Sequence, residues 1–182
     1  MDGLVRAGLA HFWFVTIHPF EDGNGRIARA ITDLAISQDE RRAQRLFSLS
    51  AQIMRQRDAY YSVLERTQRG TLDVTPWLLW FLEQVALACD LANETIADVL
   101  AKARFWLRHQ GALINDRQRK VINVLLDVGP GGFAGGMNTR KYVSLTRASR
   151  ATAYRELADL VENRCLTTSG AGRSVGYEIR WQ

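Results

Sequence analysis

The sequence predicts a mainly α-helical chain of two units, the second closed by a β-hairpin. Three observations lead there. Between residues 4 and 109 apolar residues recur at helical spacing, interrupted at segments rich in glycine or proline. After Gln110-Gly111 the texture changes to short capped helices followed by two stretches of alternating, β-branched or aromatic residues. The charge divides at the same place. Residues 1–110 hold 13 Lys/Arg and 13 Asp/Glu, and residues 111–182 hold 11 and 6, so the whole net charge of +5 lies in the second unit. The expected units are therefore 1–110 and 111–182.

The first helix is expected over Leu4–Ile17, with Leu4, Leu9, Phe12, Trp13 and Val15 on its inner side. His18–Gly25 breaks it with Pro19, Gly23 and Gly25, and a second helix runs from about Gly25 to Ile36. Ser48–Gln68 reads as a third, burying Ile53, Tyr60, Tyr61 and Leu64, and Gly70 stops it. Thr75-Pro76 reads as an N-cap with proline in the first turn, opening a helix to about His109 with a break near Asn93. In the second unit Asn115 or Asp116 caps a helix through Leu126. Gly129–Gly136, with five glycines and one proline, is a loop. A short helix from Thr139 to about Leu145 follows, then one capped by Ser149 that runs to about Asn163 with Ala153, Leu157, Leu160 and Val161 inward. Cys165–Ser169, the turn Gly170-Ala171-Gly172 and Val175–Trp181 form the hairpin. Three helices and a hairpin in about 70 residues is the winged-helix order.

Composition narrows the class. The 182 residues are 47% hydrophobic and 24% charged, which suits one medium folded domain or two small ones. Cys89 and Cys165 lack a CxxC partner and read as small core residues rather than metal ligands or a disulfide framework. Met1-Asp2-Gly3 carries no basic start, and His11 and Thr16 interrupt the apolar run that follows, so no signal peptide is expected. The longest apolar stretch, Trp77–Leu82, is too short to span a bilayer, and a cytoplasmic location with no membrane partner is the expectation.

One string carries chemistry: His18-Pro19-Phe20-Glu21-Asp22-Gly23-Asn24-Gly25-Arg26-Ile27-Ala28-Arg29. Two glycines flank an asparagine directly before a helix, so the backbone can turn sharply and its free N–H groups can converge on an anion. Arg26 and Arg29 stand three apart on one face of that helix and can fork onto phosphate oxygens. Asp22 is a hard oxygen ligand for a magnesium ion shared with phosphates. His18 can accept a proton near neutral pH. A base, a metal carboxylate, an anion nest and two guanidiniums within twelve residues describe phosphoryl or nucleotidyl transfer.

The same string resembles the Fic family motif, HPFxDGNGRxxR, with every defining position filled. Arg57-Asp58-Ala59-Tyr60-Tyr61 and Thr75-Pro76-Trp77 are similar to the helices that follow the motif in that family, so the resemblance covers most of residues 4–110. It implies a partial Fic helical core and transfer of AMP from ATP to a Ser, Thr or Tyr hydroxyl of a target protein. His18 would take the hydroxyl proton and Asp22 would hold Mg²⁺ across the α- and β-phosphates. Gly23, Asn24 and Gly25 would cradle the anion, Arg26 would grip the β/γ-phosphates, and Arg29 would support the cradle. Phe20 would be a core anchor for the loop. Fic cores carry several helices and a β-hairpin flap before the motif, which here begins at residue 18. The expectation is a fragment or a shortened relative, with an uncovered apolar face on the first helix that favours dimerisation. The inhibitory pattern [S/T]xxxE[G/N] has no match: Thr152–Glu156 is followed by Leu157 and Ser174–Glu178 by Ile179.

The basic second unit also resembles the winged-helix tails of bacterial Fic proteins. In a winged helix the third helix enters the major groove, which assigns Ser149, Arg150, Thr152 and Tyr154 to DNA bases and Arg140, Lys141, Arg147 and Arg173 to phosphates. Two other readings stay open: a DNA-binding regulator with an inactive Fic half, and a Fic-type transferase of another phosphate-containing group. His11, on an apolar helix, and His109, at a helix end, read as structural. Trp77, Trp80, Phe81, Phe105 and Trp106 read as core, as do Tyr60 and Tyr61, with one tyrosine within reach of a nucleotide.

Overall fold

The computed structural model describes residues 1–40, 46–129, 132–133, 136–170 and 175–181. Among them the chain forms α1 (Gly3–Ile17), α2 (Asn24–Glu40), α3 (Leu49–Arg55), α4 (Arg57–Gln68), α5 (Thr75–Arg108), α6 (Asp116–Val128), α7 (Thr139–Thr146), α8 (Arg150–Glu162), β1 (Leu166–Ser169) and β2 (Gly176–Ile179). The mainly helical class and the terminal hairpin are as the sequence implies. The chain divides into two compact units, Met1–Thr95 and Ile96–Gln182. This boundary precedes the one placed at Gln110–Gly111. No glycine or proline interrupts α5, which is continuous through Asn93, and its last turns carry Phe105 into the core of the second unit. No described helix is long and apolar enough to cross a membrane.

In the first unit α1 and α2 pack along one another. The buried side of α1 is Gly3, Ala7, Gly8, His11 and Phe12; of the larger residues that periodicity selects, Phe12 is buried and Leu4 and Val15 pack against the core. Trp13 is 44% exposed. Small residues win because neighbouring side chains come close: a methyl group at Gly8 would lie 2.9 Å from a ring carbon of Phe81. α1 starts at Asp2, whose carboxylate accepts from the N–H groups of Leu4 and Val5. The expected Ser48–Gln68 helix is two. Gln56 leaves helical geometry (φ −106°, ψ 34°), and Leu49 and Ile53 before it and Tyr60, Val63 and Leu64 after it are buried in the core. The start of α5 also differs by one residue. The Val74 carbonyl accepts from Leu78 N–H, and Asp73 Oδ1 accepts from Thr75 N–H at 2.9 Å.

Trp77 sits at the centre of this core with no exposed surface, its indole N–H donating to the Gly8 carbonyl at 2.8 Å. His11 stacks on it, with ring centroids 5.3 Å apart. Both ring nitrogens of His11 are engaged, Nδ1 with Thr32 Oγ1 at 2.9 Å and Nε2 with the Tyr60 hydroxyl at 3.0 Å. Burial, and after it the Arg29 charge, lower the His11 pKa from 6.5 to about 4. The unfolded chain therefore takes up this proton first as pH falls. Stability from neutral His11 is complete above about 6.5 and is lost progressively down to about 4. The expected loss in urea titrations across that window is about 3 kcal/mol at most. His11→Phe should flatten this slope, and an unchanged slope in the variant would contradict the assignment.

Beyond the end of α5, the described residues of the second unit form three helices, α6 to α8, and an antiparallel hairpin, with Leu166 opposite Ile179 and Ser169 opposite Gly176. An isolated bridge joins Met137 to Tyr177. Asn115 and Gln118 form a capping box at the start of α6, Asn138 caps α7 and Ser149 caps α8. Glu156 of α8, almost fully buried, gathers donors from the other two helices. Arg117 binds it through a forked ion pair, Asn115 Nδ2 donates at 2.9 Å and the Tyr142 hydroxyl at 2.6 Å. These donors, Arg117 foremost, hold the Glu156 carboxyl below its usual range. Cys165 is buried and Cys89 half-buried. Parts of the Gly129–Gly136 loop and of the Gly170-Ala171-Gly172 turn, and Ser174, lie outside the described residues.

Candidate active site

α1 ends at Ile17, and His18 takes a left-handed conformation (φ 51°, ψ 57°) with its N–H on the Phe14 carbonyl at 3.1 Å. That reversal, followed by Pro19, turns the chain out of the helix and leaves the imidazole exposed. Gly23 takes φ 83°, a region open to glycine and costly for other residues. Its carbonyl accepts from Arg26 N–H at 2.9 Å and Ile27 N–H at 3.0 Å, so it starts α2. The N–H groups of Asn24 and Gly25 precede those first bonds and face outward from the helix start.

A cleft of about 350 Å³ opens above this turn, within the range of small-ligand sites. His18, Glu21, Asp22, Gly23, Asn24, Gly25, Arg26 and Arg29 line one side; Met54, Arg57 and Tyr61 line the other. A methyl group on Gly25 would lie 3.6 Å from Arg29 Nη1, which places this guanidinium beside the glycine turn. Arg57 lies over the Tyr61 ring at 5.7 Å. Three guanidiniums thus meet two carboxylates around a helix start, a field that favours a polyanion carrying its own cation.

The model of the Fic/DOC family matches residues 1–36, the span that holds α1, the turn and most of α2. Residues 1–36 are Fic-related. A protein adenylyltransferase, fic-1, of Caenorhabditis briggsae is 53% identical over 34 residues, which cover 19% of this chain and 7% of that relative.

All seven residues assigned from the Fic motif, His18, Asp22, Gly23, Asn24, Gly25, Arg26 and Arg29, line the one cleft. The Asn24 side chain has a further task. It is 3% exposed, and its amide closes the loop by accepting from Phe20 N–H at 3.1 Å and donating to the Phe20 carbonyl. This clasp fixes the Fic loop, and the Phe20 ring does not: it is 52% exposed, against the expected core anchor. Asn24→Ala should leave two Phe20 backbone groups unpaired and cost about 1–3 kcal/mol locally. MgATP affinity should fall with it, and an unchanged affinity by calorimetry would exclude the clasp. The sequence reading gives no role to Met54 or Arg57; it places Tyr60 and Tyr61 in the core, with one of them within reach of a nucleotide. Tyr60 is buried, but Tyr61 is 56% exposed in the cleft. The signal was present in the string Arg57–Tyr61: arginine and tyrosine four apart share one helix face.

In the second unit Arg140, Arg147, Arg150 and Tyr154 are exposed. Arg155 is exposed beside them and was not among the expected contacts. Lys141 is engaged instead, its ammonium donating to the Gly136 carbonyl at 2.7 Å. Ser149 and Thr152 serve the helix cap: Ser149 Oγ accepts from Thr152 N–H at 3.1 Å and pairs with Thr152 Oγ1 at 2.9 Å. Arg173 lies outside the described residues.

Proposed function

We propose that the first unit transfers AMP from ATP to a hydroxyl of a protein. The observation that carries this reading is the cleft, where an exposed histidine, a glycine-started helix and three guanidiniums face one space. The name of the Caenorhabditis briggsae relative, a protein adenylyltransferase, supports it. His18 accepts the proton of the acceptor hydroxyl as its oxygen attacks the α-phosphorus. The bond from the α-phosphorus to the bridging oxygen breaks, and pyrophosphate leaves with that electron pair. The N–H groups at the start of α2 and the Arg26 and Arg29 guanidiniums bind the phosphate oxygens. Tyr61 and Met54 offer an apolar wall to the base.

Among the described residues no three acidic, histidine or cysteine side chains gather as a metal cage. Asp22 nonetheless fits magnesium, which takes one or two carboxylates and completes its shell with phosphates and water. Bound there, the ion would neutralise phosphate charge. Asp22 is exposed in the cleft and free to reach it.

Incubation with Mg²⁺, a cell lysate and ATP labelled at the α- or the γ-phosphate tests the reading. Covalent label on protein from the α-position alone supports AMP transfer. Label from the γ-position, or only from another nucleotide donor, assigns the cleft to a different phosphate-containing group.

The exposed arginines of α7 and α8 favour a second activity for the second unit, that of a DNA-binding winged helix. α8 buries Ala153, Glu156, Leu157 and Leu160 and turns Arg150, Tyr154 and Arg155 outward. If four arginines meet phosphates, the logarithm of affinity falls against the logarithm of salt with a slope of about −3.6. Arg140→Ala should flatten that slope by about one unit in fluorescence anisotropy with duplex DNA. No binding at low salt would leave these arginines as a solvated face.

A further inference from the structure

We propose that His11 is a positioning residue that ties together α1, α2 and α4, three of the helices that line the cleft. The proposal rests on the nucleotide-transfer reading of that cleft. Each wall comes from a different helix: His18 ends α1, Arg26 and Arg29 stand on α2, and Arg57 and Tyr61 stand on α4. His11 is the buried side chain of α1 that hydrogen-bonds to both of the others, reaching Thr32 of α2 at 2.9 Å and Tyr60 of α4 at 3.0 Å. It lies seven residues, about two turns, before His18, which follows the end of α1.

The hydrogen bonds have one consistent direction. Thr32 Oγ1 donates its proton to the Ala28 carbonyl at 2.8 Å, so towards His11 it accepts. His11 therefore carries its proton on Nδ1, and Nε2 accepts from the Tyr60 hydroxyl. The protonated ring would have no acceptor for Tyr60. Burial of the ring in a pocket of Trp77, Phe81 and Tyr60 keeps it neutral. Each contact stands next to a cleft residue. Thr32 and Ala28 flank Arg29 on α2, and the Tyr60 ring meets the Tyr61 ring edge-on at 5.1 Å. The Arg29 charge is felt at both His11 and Tyr60. A shift of this bracket therefore moves the phosphate-binding arginine and the exposed tyrosine together.

A double-mutant cycle on the full chain separates positioning from mere stability. His11→Phe keeps an aromatic ring against Trp77 and removes both polar contacts. MgATP binding is measured by calorimetry for the wild type, His11→Phe, Arg29→Ala and the double variant, each first shown to be folded by circular dichroism. Positioning predicts that His11→Phe weakens binding tenfold or more, and that the loss largely disappears when Arg29 is already alanine. Equal binding by His11→Phe, or losses that multiply, would overturn it. If His11→Phe does not fold, Tyr60→Phe, which deletes one hydroxyl, takes its place in the same cycle. The nucleotide-free Arg29 Nε–H resonance gives a readout independent of ATP. It should shift in the folded variant, and an unmoved resonance sinks the proposal even where the wild type binds no nucleotide. Failure of wild-type binding alone counts against the transferase reading instead.

Discussion

His18→Ala should lower AMP transfer by about 10²–10⁴-fold, the usual contribution of a positioned general base, while leaving the fold intact. The fold should survive because the imidazole is exposed and only the His18 backbone takes part in ending α1. His18→Asn is the stricter control, since asparagine tolerates the left-handed conformation found there (φ 51°). MgATP should bind both variants nearly as well as the wild type, because the phosphate-binding groups belong to the turn and to α2. Transfer within threefold of wild type by either variant would remove His18 from the mechanism.

Trp77→Ala should have the largest effect on stability, about 3–5 kcal/mol in chemical denaturation. The indole has no exposed surface, and it contacts the rings of His11, Phe12, Tyr60, Trp80 and Phe81. Its truncation leaves a cavity under the cleft and strips the Gly8 carbonyl of its donor. A loss of that size is a large part of the stability of a small domain, so the first unit should begin to open under mild denaturant. Nucleotide binding should fail at the same denaturant concentration as the core. A loss below about 1 kcal/mol would mean that the aromatic cluster is not the centre of the core.

The motif was legible because its physics is local. Gly23 takes a positive φ that glycine accepts readily, Asp22 and Asn24 flank it, and its carbonyl takes the first N–H groups of α2 from Arg26 and Ile27. The helices were legible where caps sit in the sequence, as at Asn115, Asn138 and Ser149. What the sequence concealed depends on partners far along the chain. His11 finds Thr32 and Tyr60, 21 and 49 residues away, and nothing on an apolar helix announces them. The break at Gln56 has no glycine or proline to mark it, and Leu49, Ile53, Tyr60, Val63 and Leu64 keep the spacing of one helix face across it, so periodicity reads straight through. On the inner face of α1 periodicity finds Phe12, Leu4 and Val15 but not Ala7 and Gly8, which close packing places there while Trp13 stays exposed. In the second unit, composition found the basic surface but not the division of labour within it. Ser149 and Thr152 are spent on a cap and Lys141 on a loop carbonyl, which leaves the arginines and Tyr154 outward.

The most direct test of the central claim is a titration of the ¹⁵N-labelled chain with MgATP, followed through backbone and arginine side-chain resonances. The account predicts saturable shifts at the amides of Asn24 and Gly25 and at the Nε–H groups of Arg26 and Arg29. The amides of β1 and β2 should not move. Unmoved Asn24 and Gly25 amides at millimolar MgATP, or shifts confined to the second unit, would contradict it.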